Sequence, residues 1–238
     1  MFTSQPRTQS TGDVNCRPTH QPPESRQHVN FADFLPLAKI RTMGPRQHLF
    51  REGDDKADIY QILRGTFVLY RLLPNGRRQV TGFAVTGDIV GLGTGRHHPS
   101  SAESSSEAQV RALPAVVLHR LAGDDPNLAL LLYDAMSREL LTVQDHLVMV
   151  SLLYAVERVA MFLVGLSNRG VVLSHLACDI ELPMKRHDIA DFLSLATETV
   201  SRSLTKLVKG GVIARQPGGI RVLDQVLLRG LAKGGFKI

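Results

Sequence analysis

The 238-residue sequence has no tryptophan, only two cysteines, Cys16 and Cys178, and just 5% aromatic residues. Two cysteines cannot supply a disulfide framework, a thiolate zinc site or an iron–sulfur cluster. Low cysteine use points to a reducing compartment, the cytoplasm. Long hydrophobic runs are missing as well. The most apolar stretch, LVMVSLLYAV (147–156), falls well short of the roughly 20 residues a membrane span needs, so no membrane partner is expected. MFTSQPRTQSTGDVNCRP at the start has neither a basic head nor an apolar centre, which argues against a secretory signal. No nucleophile–base–orienter pattern and no supported general-acid pair occurs, so an enzyme is not expected.

What the sequence does have is an uneven charge. Residues 1–182 hold 18 basic and 18 acidic side chains, whereas residues 183–238 hold 10 and 4, which is the whole surplus of +6. A neutral body with a basic C-terminal quarter suits a polyanion partner, although solvated Lys and Arg would give the same count.

The chain divides into four stretches. Residues 1–30 are rich in Gln, Pro, Ser and Thr and have too few large apolar groups to offset ordering, so they read as a disordered tail. Residues 31–123 alternate apolar and polar groups in HLFREGDD, DIYQILRG, TFVLYRLL, GRRQVTGFAVTGDIVG and AQVRALPAVVLHR, between Gly, Pro and Asp breaks. Closely spaced strands of this kind predict an antiparallel roll or sandwich, and Asn75–Gly76 supplies a hairpin turn. Over 124–155 the period changes. Asp124 or Asp125 can cap a helix, Pro126 suits its first turn, and no Gly or Pro follows until Gly165.

Apolar residues then recur at Leu132, Met136, Leu140, Val143, Leu147, Val150 and Tyr154. One continuous helix through this region would be roughly 60 Å long at 1.5 Å per residue; a break near Ser151 or Leu152 fits equally well. The stripe can pack on its own domain or on a second copy, and its length favours a homodimer with Leu132, Met136, Leu140, Val143, Leu147 and Val150 at the interface.

The last stretch, 156–238, carries the functional signal. YAVERVAMFLVGLSNRG reads as a helix ending at Gly170, VVLSHL as a short strand, and Pro183 as a break. KRHDIADFLSLATETVSRSLTKLVKGG then divides into two helices about Ser194–Leu195–Ala196. Ile189, Ala190, Phe192 and Leu193 pack from the first, and Val200, Leu204, Leu207 and Val208 from the second. A small Ala190, Ser194 four residues on and Val200 six beyond that meet the steric demands of a helix-turn-helix. GGVIARQPGGIRVLD continues as strand–turn–strand, a wing, with Arg215 and Arg221 beside its turn.

Glu198, Ser201, Arg202 and Thr205 share the helix face opposite the packing set. Arg is suited to guanine O6 and N7, and Glu to a cytosine amino group. Thr197, Glu198, Ser201 and Arg202 are therefore the expected base-reading residues on double-stranded DNA. Lys185, Arg186, Thr199, Thr205, Lys206 and Arg221 are the expected phosphate contacts. The competing reading is a Glu198–Arg202 surface pair of a few tenths of a kcal/mol.

Roll, long helix and winged helix-turn-helix together resemble the superfamily of the cyclic-AMP receptor protein and the fumarate–nitrate regulator over roughly residues 31–232, carried by AVERVAMFL and ELPMKRHDIADFLSLATETVSRSLTKL. That resemblance implies an α+β chain: an N-terminal antiparallel β-roll of the cyclic-nucleotide-binding kind, a dimerisation helix and a C-terminal winged helix-turn-helix. E-x-x-S-R at Glu198–Arg202 is similar to the fumarate–nitrate branch, and implies a palindrome like TTGAT-N4-ATCAA with Arg202 and Glu198 on its G·C pair. Ala196 stands where a capping Ser is common, and Ser203 at a usually aliphatic position.

The family's nucleotide pocket uses a Gly-Glu pair and an Arg before a hydroxyl residue. Here Gly91 is followed by Leu92, and SSAESSS contains no such Arg. Loss of both groups removes charge-assisted ligand contacts, so no cofactor is expected. Without the four cluster cysteines, the chain resembles the FixK-type subgroup, transcription regulators active at low oxygen and in nitrogen fixation. Some members carry an oxidisable Cys at the position of Lys185. The resemblance also implies contact between RNA polymerase and roll loops, including residues 64–78. The alternative reading is a ligand-gated regulator of the same fold, whose roll binds a small effector or haem.

Other clusters read more plainly. His97–His98 lacks companion ligands at metal spacing and reads as a polar loop. Glu52, Asp54, Asp55 and Asp58 read as a turn without calcium-loop spacing. Cys178, beside Asp179, reads as structural or incidental.

Overall fold

The computed structural model describes residues 38–93, 95–171 and 178–235. The expected tail 1–30, Cys16 and all of VVLSHL after Val171 lie outside the described residues.

Eight strands build the N-terminal roll: β1 (Lys39–Met43), β2 (His48–Phe50), β3 (Asp58–Arg64), β4 (Thr66–Leu72), β5 (Arg78–Val85), β6 (Ile89–Val90), β7 (Ser101–Ser104) and β8 (Ala108–Pro114). They form two antiparallel sheets, ordered β1-β8-β3-β6 and β2-β7-β4-β5. Alternation puts Tyr60, Ile62, Phe67, Val110 and Ala112 into the space between the sheets. The β4–β5 hairpin closes as its sequence implies. Gly76 takes φ +76°, and the Asn75 side chain accepts from the Arg77 backbone N–H at 3.0 Å.

At the roll's end the expected strand run AQVRALPAVVLHR is corrected: β8 stops at Pro114, and Ala115–Asp124 is a helix, α1. Proline cannot extend the ladder but can open a helix, and Ala115 and Leu118, spaced for one helical face, are buried against Ile59 and Leu113.

Helix α2 (Pro126–Leu152) follows at once, with Pro126 in its first turn and the Asp125 side chain accepting from Asn127 N–H at 2.9 Å. Its 27 residues span about 40 Å. It ends without Gly or Pro, at an extended Leu153, and α3 (Ala155–Asn168) begins after Tyr154. Side chains take over the backbone's hydrogen bonds there. The Glu157 carboxylate accepts from Tyr154 N–H at 2.8 Å, and Arg158 donates to Val150 O and Leu153 O at 2.8 and 2.9 Å.

The exposed side of α2 bears Met136, Leu140, Val143 and Leu147, each more than half exposed. Leu132 and Val150 turn inward instead, packing on α1's cluster and on the C-terminal core. Tyr133, 67% exposed, occupies the solvent side that the sequence reading gave to Leu132.

Beyond α3 come β9 (Asp179–Glu181), α4 (Arg186–Leu193), α5 (Thr197–Lys209), β10 (Ile213–Gln216), β11 (Gly219–Val222) and α6 (Gln225–Ala232). Their core is shared with the roll. Val68, Tyr70, Val80 and Phe83 of β4 and β5 join Phe162, Leu163, Ile189 and Leu193 in one buried cluster. No helix among the described residues is long and apolar enough to cross a membrane.

Candidate nucleic-acid interface

Helices α4 and α5 are joined by Ser194, Leu195 and Ala196. Ser194 is left-handed, φ +53°, at the helix C-cap, and Leu195 N–H reaches back to Ala190 O at 2.9 Å. A non-glycine residue at positive φ needs the surrounding structure to hold it. Here Ala190 (2% exposed) and Val200 (fully buried) lock the crossing.

On α5 the buried positions are Val200, Ser203, Leu204 and Leu207, one stripe at helical spacing. Ser203, at the usually aliphatic position, is buried with them. The opposite face presents Glu198, Ser201, Arg202 and Lys206 to solvent, with Thr197, Thr199 and Thr205 half-buried at its edges. All four expected base-reading residues thus lie on the first two turns of one helix. Ala196 is the N-cap and offers no side-chain hydrogen bond. Among the described residues no ion pair joins Glu198 to Arg202, so the surface-pair reading is not realised.

The wing is a three-stranded antiparallel sheet, β10-β11-β9, with Pro217–Gly218 at the β10–β11 turn and Gly218 at φ +75°. Its register decides what its arginines do. Arg221 lies opposite Asp179 and donates to both carboxylate oxygens, at 2.7 and 3.0 Å. Its guanidinium is held even more firmly protonated by that hydrogen bond and by the Asp179 charge. Arg221, expected at a phosphate, is thus ion-paired within the wing while its side chain stays about half exposed.

Arg215 is the wing arginine to which the sequence alone assigns no contact. It is exposed on β10 and donates to Thr205 Oγ1 at 2.9 Å, while that hydroxyl donates to Ser201 O at 2.9 Å. The contact lays Arg215 along the edge of the reading face. Partial desolvation of its side chain, and then the like charge of Arg215, lower the Arg186 guanidinium from its ordinary value. Lys185 and Arg186 are exposed at the start of α4, and Lys206 and Lys209 on α5. The signal that would have separated Arg215 from Arg221 is the strand register, which the β9 pairing sets.

The roll's nucleotide segment holds different contacts. Lys56 Nζ donates to Leu92 O at 3.2 Å, and a Cβ at Gly91 would come within 3.2 Å of the His98 ring. His97 pairs with Asp55 at 3.2 Å, but His98 does not sit in a polar loop. It is 3% exposed and stacked 3.7 Å from Phe50, with Gly91 leaving room for its ring. Cys178 is buried.

A winged helix-turn-helix carried on an antiparallel roll and a long helix defines a DNA-binding regulator, and comparison with known proteins agrees. The model of the Crp-like helix-turn-helix domain matches residues 157–231, and that of the cyclic nucleotide-binding domain residues 40–125. The transcriptional activatory protein AadR of Rhodopseudomonas palustris is 39% identical over 192 residues, 81% of this chain and 80% of its own length. The nitrogen fixation regulation protein FixK of Bradyrhizobium diazoefficiens is 37% identical over 206 residues, 84% of this chain and 87% of its own. The structure of FixK2 from Bradyrhizobium japonicum superposes with a TM-score of 0.76 at 31% identity, covering 82% of this chain and 97% of that one.

The chain belongs to the CRP/FNR family of transcription regulators. Within it, the chain is a helix-turn-helix DNA-binding regulator of the FixK/FNR type and not an enzyme.

Proposed function

We propose that the chain acts as a cytoplasmic homodimer that reads a palindrome resembling TTGAT-N4-ATCAA without a cyclic nucleotide. In that role it regulates, most simply as an activator through RNA polymerase, genes for respiration or nitrogen fixation at low oxygen. The observation that carries the reading is the exposed Glu198–Ser201–Arg202 face on α5, set above the buried Val200–Leu204–Leu207 stripe.

Two α2 helices paired along Met136, Leu140, Val143 and Leu147 would set the reading helices roughly one DNA turn, 34 Å, apart. Independence from cyclic nucleotide is supported by Leu92 in place of a ribose-binding Glu, and by Lys56 bonded to the carbonyls of that segment. The hairpin tip exposes Leu72 and Leu73, a surface suited to polymerase.

The test is binding of the purified, untreated protein to the labelled palindrome and to a copy with its G·C pairs swapped, at two salt concentrations, with and without cyclic AMP. Tight, sequence-dependent binding in every nucleotide condition is expected. Binding that requires an effector would overturn the constitutive reading in favour of a ligand-gated one. Weak, equal binding to both DNAs would overturn base reading itself.

Arg215 takes a phosphate contact in place of Arg221, beside Arg186, which keeps the contact expected of it. Arg215→Ala is expected to lower the slope of log K against log salt by about one. Arg221→Ala should leave that slope nearly unchanged and act by depriving Asp179 of its bidentate partner. Titration of both variants over 50–200 mM salt, the range in which phosphate contacts show their cost, decides between them. The assignment is wrong if only Arg221→Ala flattens the slope.

A further inference from the structure

Helix α4 is the half of the motif that does not read bases, and its polar ends are bonded by other parts of the chain as well as by the motif. At its start, Asp188 is 4% exposed and uses one carboxylate oxygen to accept from Lys185 N–H at 3.3 Å. The other oxygen accepts from Arg78 Nη1, on roll strand β5, at 2.6 Å. That guanidinium is itself placed. It lies over the Tyr70 ring at 4.1 Å, and Glu103 is 3.9 Å away. One residue along β5, Gln79 Nε2 donates to Asp191 O at 2.9 Å. At the end of α4, Arg158 donates to Leu193 O at 3.0 Å, with the same guanidinium that holds the α2–α3 junction.

An eight-residue helix has four C-terminal carbonyls without partners inside it, and two of these, on Asp191 and Leu193, are bonded from outside the motif. Phe192 adds an apolar anchor, its ring 5.3 Å from Phe83 of β5 and 4.4 Å from His146 of α2. Meanwhile Glu198, Ser201 and Arg202 stay exposed. The contacts therefore fasten the motif to the roll without covering its reading face.

We propose that Arg78 is a positioning residue for DNA reading: its bond to Asp188 fixes α4, and through it α5, in the orientation in which the two copies meet their half-sites. A dimer whose reading helices are already oriented loses less freedom on binding than one whose helices swing about Leu153–Tyr154. The inference rests on the reading of α5 as the base-reading helix. It predicts a loss specific to ordered, two-site recognition, because binding to arbitrary DNA needs only charge.

The experiment compares full-length wild type with Arg78→Ala, Gln79→Ala, Asp188→Asn and the Arg78→Ala/Asp188→Asn pair. Each is titrated against the palindrome and a scrambled duplex, with melting temperature and dimer mass measured alongside. Arg78→Ala is expected to bind the palindrome about tenfold more weakly, the loss of one charge-assisted hydrogen bond. The scrambled duplex should be bound as before, and the double variant should lose little more than the single one. Should Arg78→Ala not fold, Gln79→Ala removes only the amide contact and is expected to shift the same ratio, by less.

Unchanged or tighter palindrome binding in a folded Arg78→Ala overturns the proposal. So does an equal loss on both duplexes, which would mean that Arg78 supplies charge alone. A wild type that fails to discriminate the two duplexes overturns the α5 reading, and this inference with it. A discriminating wild type matched by Arg78→Ala overturns this inference alone.

Discussion

Glu at both Leu140 and Leu147 is expected to yield a folded monomer that binds the full palindrome roughly 10²–10⁴-fold more weakly, the range lost when two linked sites act singly. Met136, Leu140, Val143 and Leu147 are exposed and spaced by four, three and four residues, the spacing the proposed dimer seam would need, and Tyr133 extends it by one further step. Burying each such side chain against a partner would contribute about 1.5–3 kcal/mol, so four per chain would suffice for the proposed interface. In a two-fold pair a seam residue lies close to its own copy, so each Glu would meet a like charge in a desolvated setting, which costs several kcal/mol.

The fold of one chain should tolerate the change. Leu140 and Leu147 are 59% and 64% exposed, whereas Leu128 and Met149, which bind α2 to the rest of the chain, are untouched. Light scattering gives the mass, and titration against full and half palindromes gives the affinity. A variant that remains dimeric would place the interface elsewhere.

How much of this was legible in the sequence follows from how local each determinant is. The α4–α5 motif depends on Ala190, Ser194 and Val200 within eleven positions, and those steric demands are met as the spacing implies. The Asn75–Gly76 hairpin is similarly local.

What the sequence hid depends on distant partners or on phase. Arg215 and Arg221 are both basic and both next to the wing turn, and only the strand that supplies Asp179 separates their contacts. The α2–α3 break falls at Leu152, one of the two readings the periodicity leaves open; no Gly or Pro decides between them, because Glu157 and Arg158 terminate the helix by side-chain bonding. Leu132 and Tyr133 differ by one residue, about 100° around a helix, which is enough to exchange an inward position for an exposed one. The β5–α4 contact, joining Arg78 to Asp188 across 110 positions, leaves no local pattern at all.

Replacing Arg202 by Ala is expected to flatten discrimination at the palindrome's G·C pair and to cost about 1–3 kcal/mol per half-site. Among the described residues none bonds to this side chain: it is exposed and forms no ion pair with Glu198. Its full donor set is available to a guanine edge, and truncating it should leave the melting temperature almost unchanged. Arg202→Lys separates fork from charge. An ammonium keeps the attraction to DNA but not the two parallel donors, so affinity should recover in part while base preference stays flat.

Glu198→Ala is expected to act on the same base pair from the cytosine side, and the two losses should add incompletely because both residues serve one pair. Titration of each variant against duplexes carrying all four base pairs at that position measures this directly. If Arg202→Ala still ranks the four duplexes as wild type does, the face at Glu198–Arg202 supplies only charge, and the reading residues lie elsewhere on the motif.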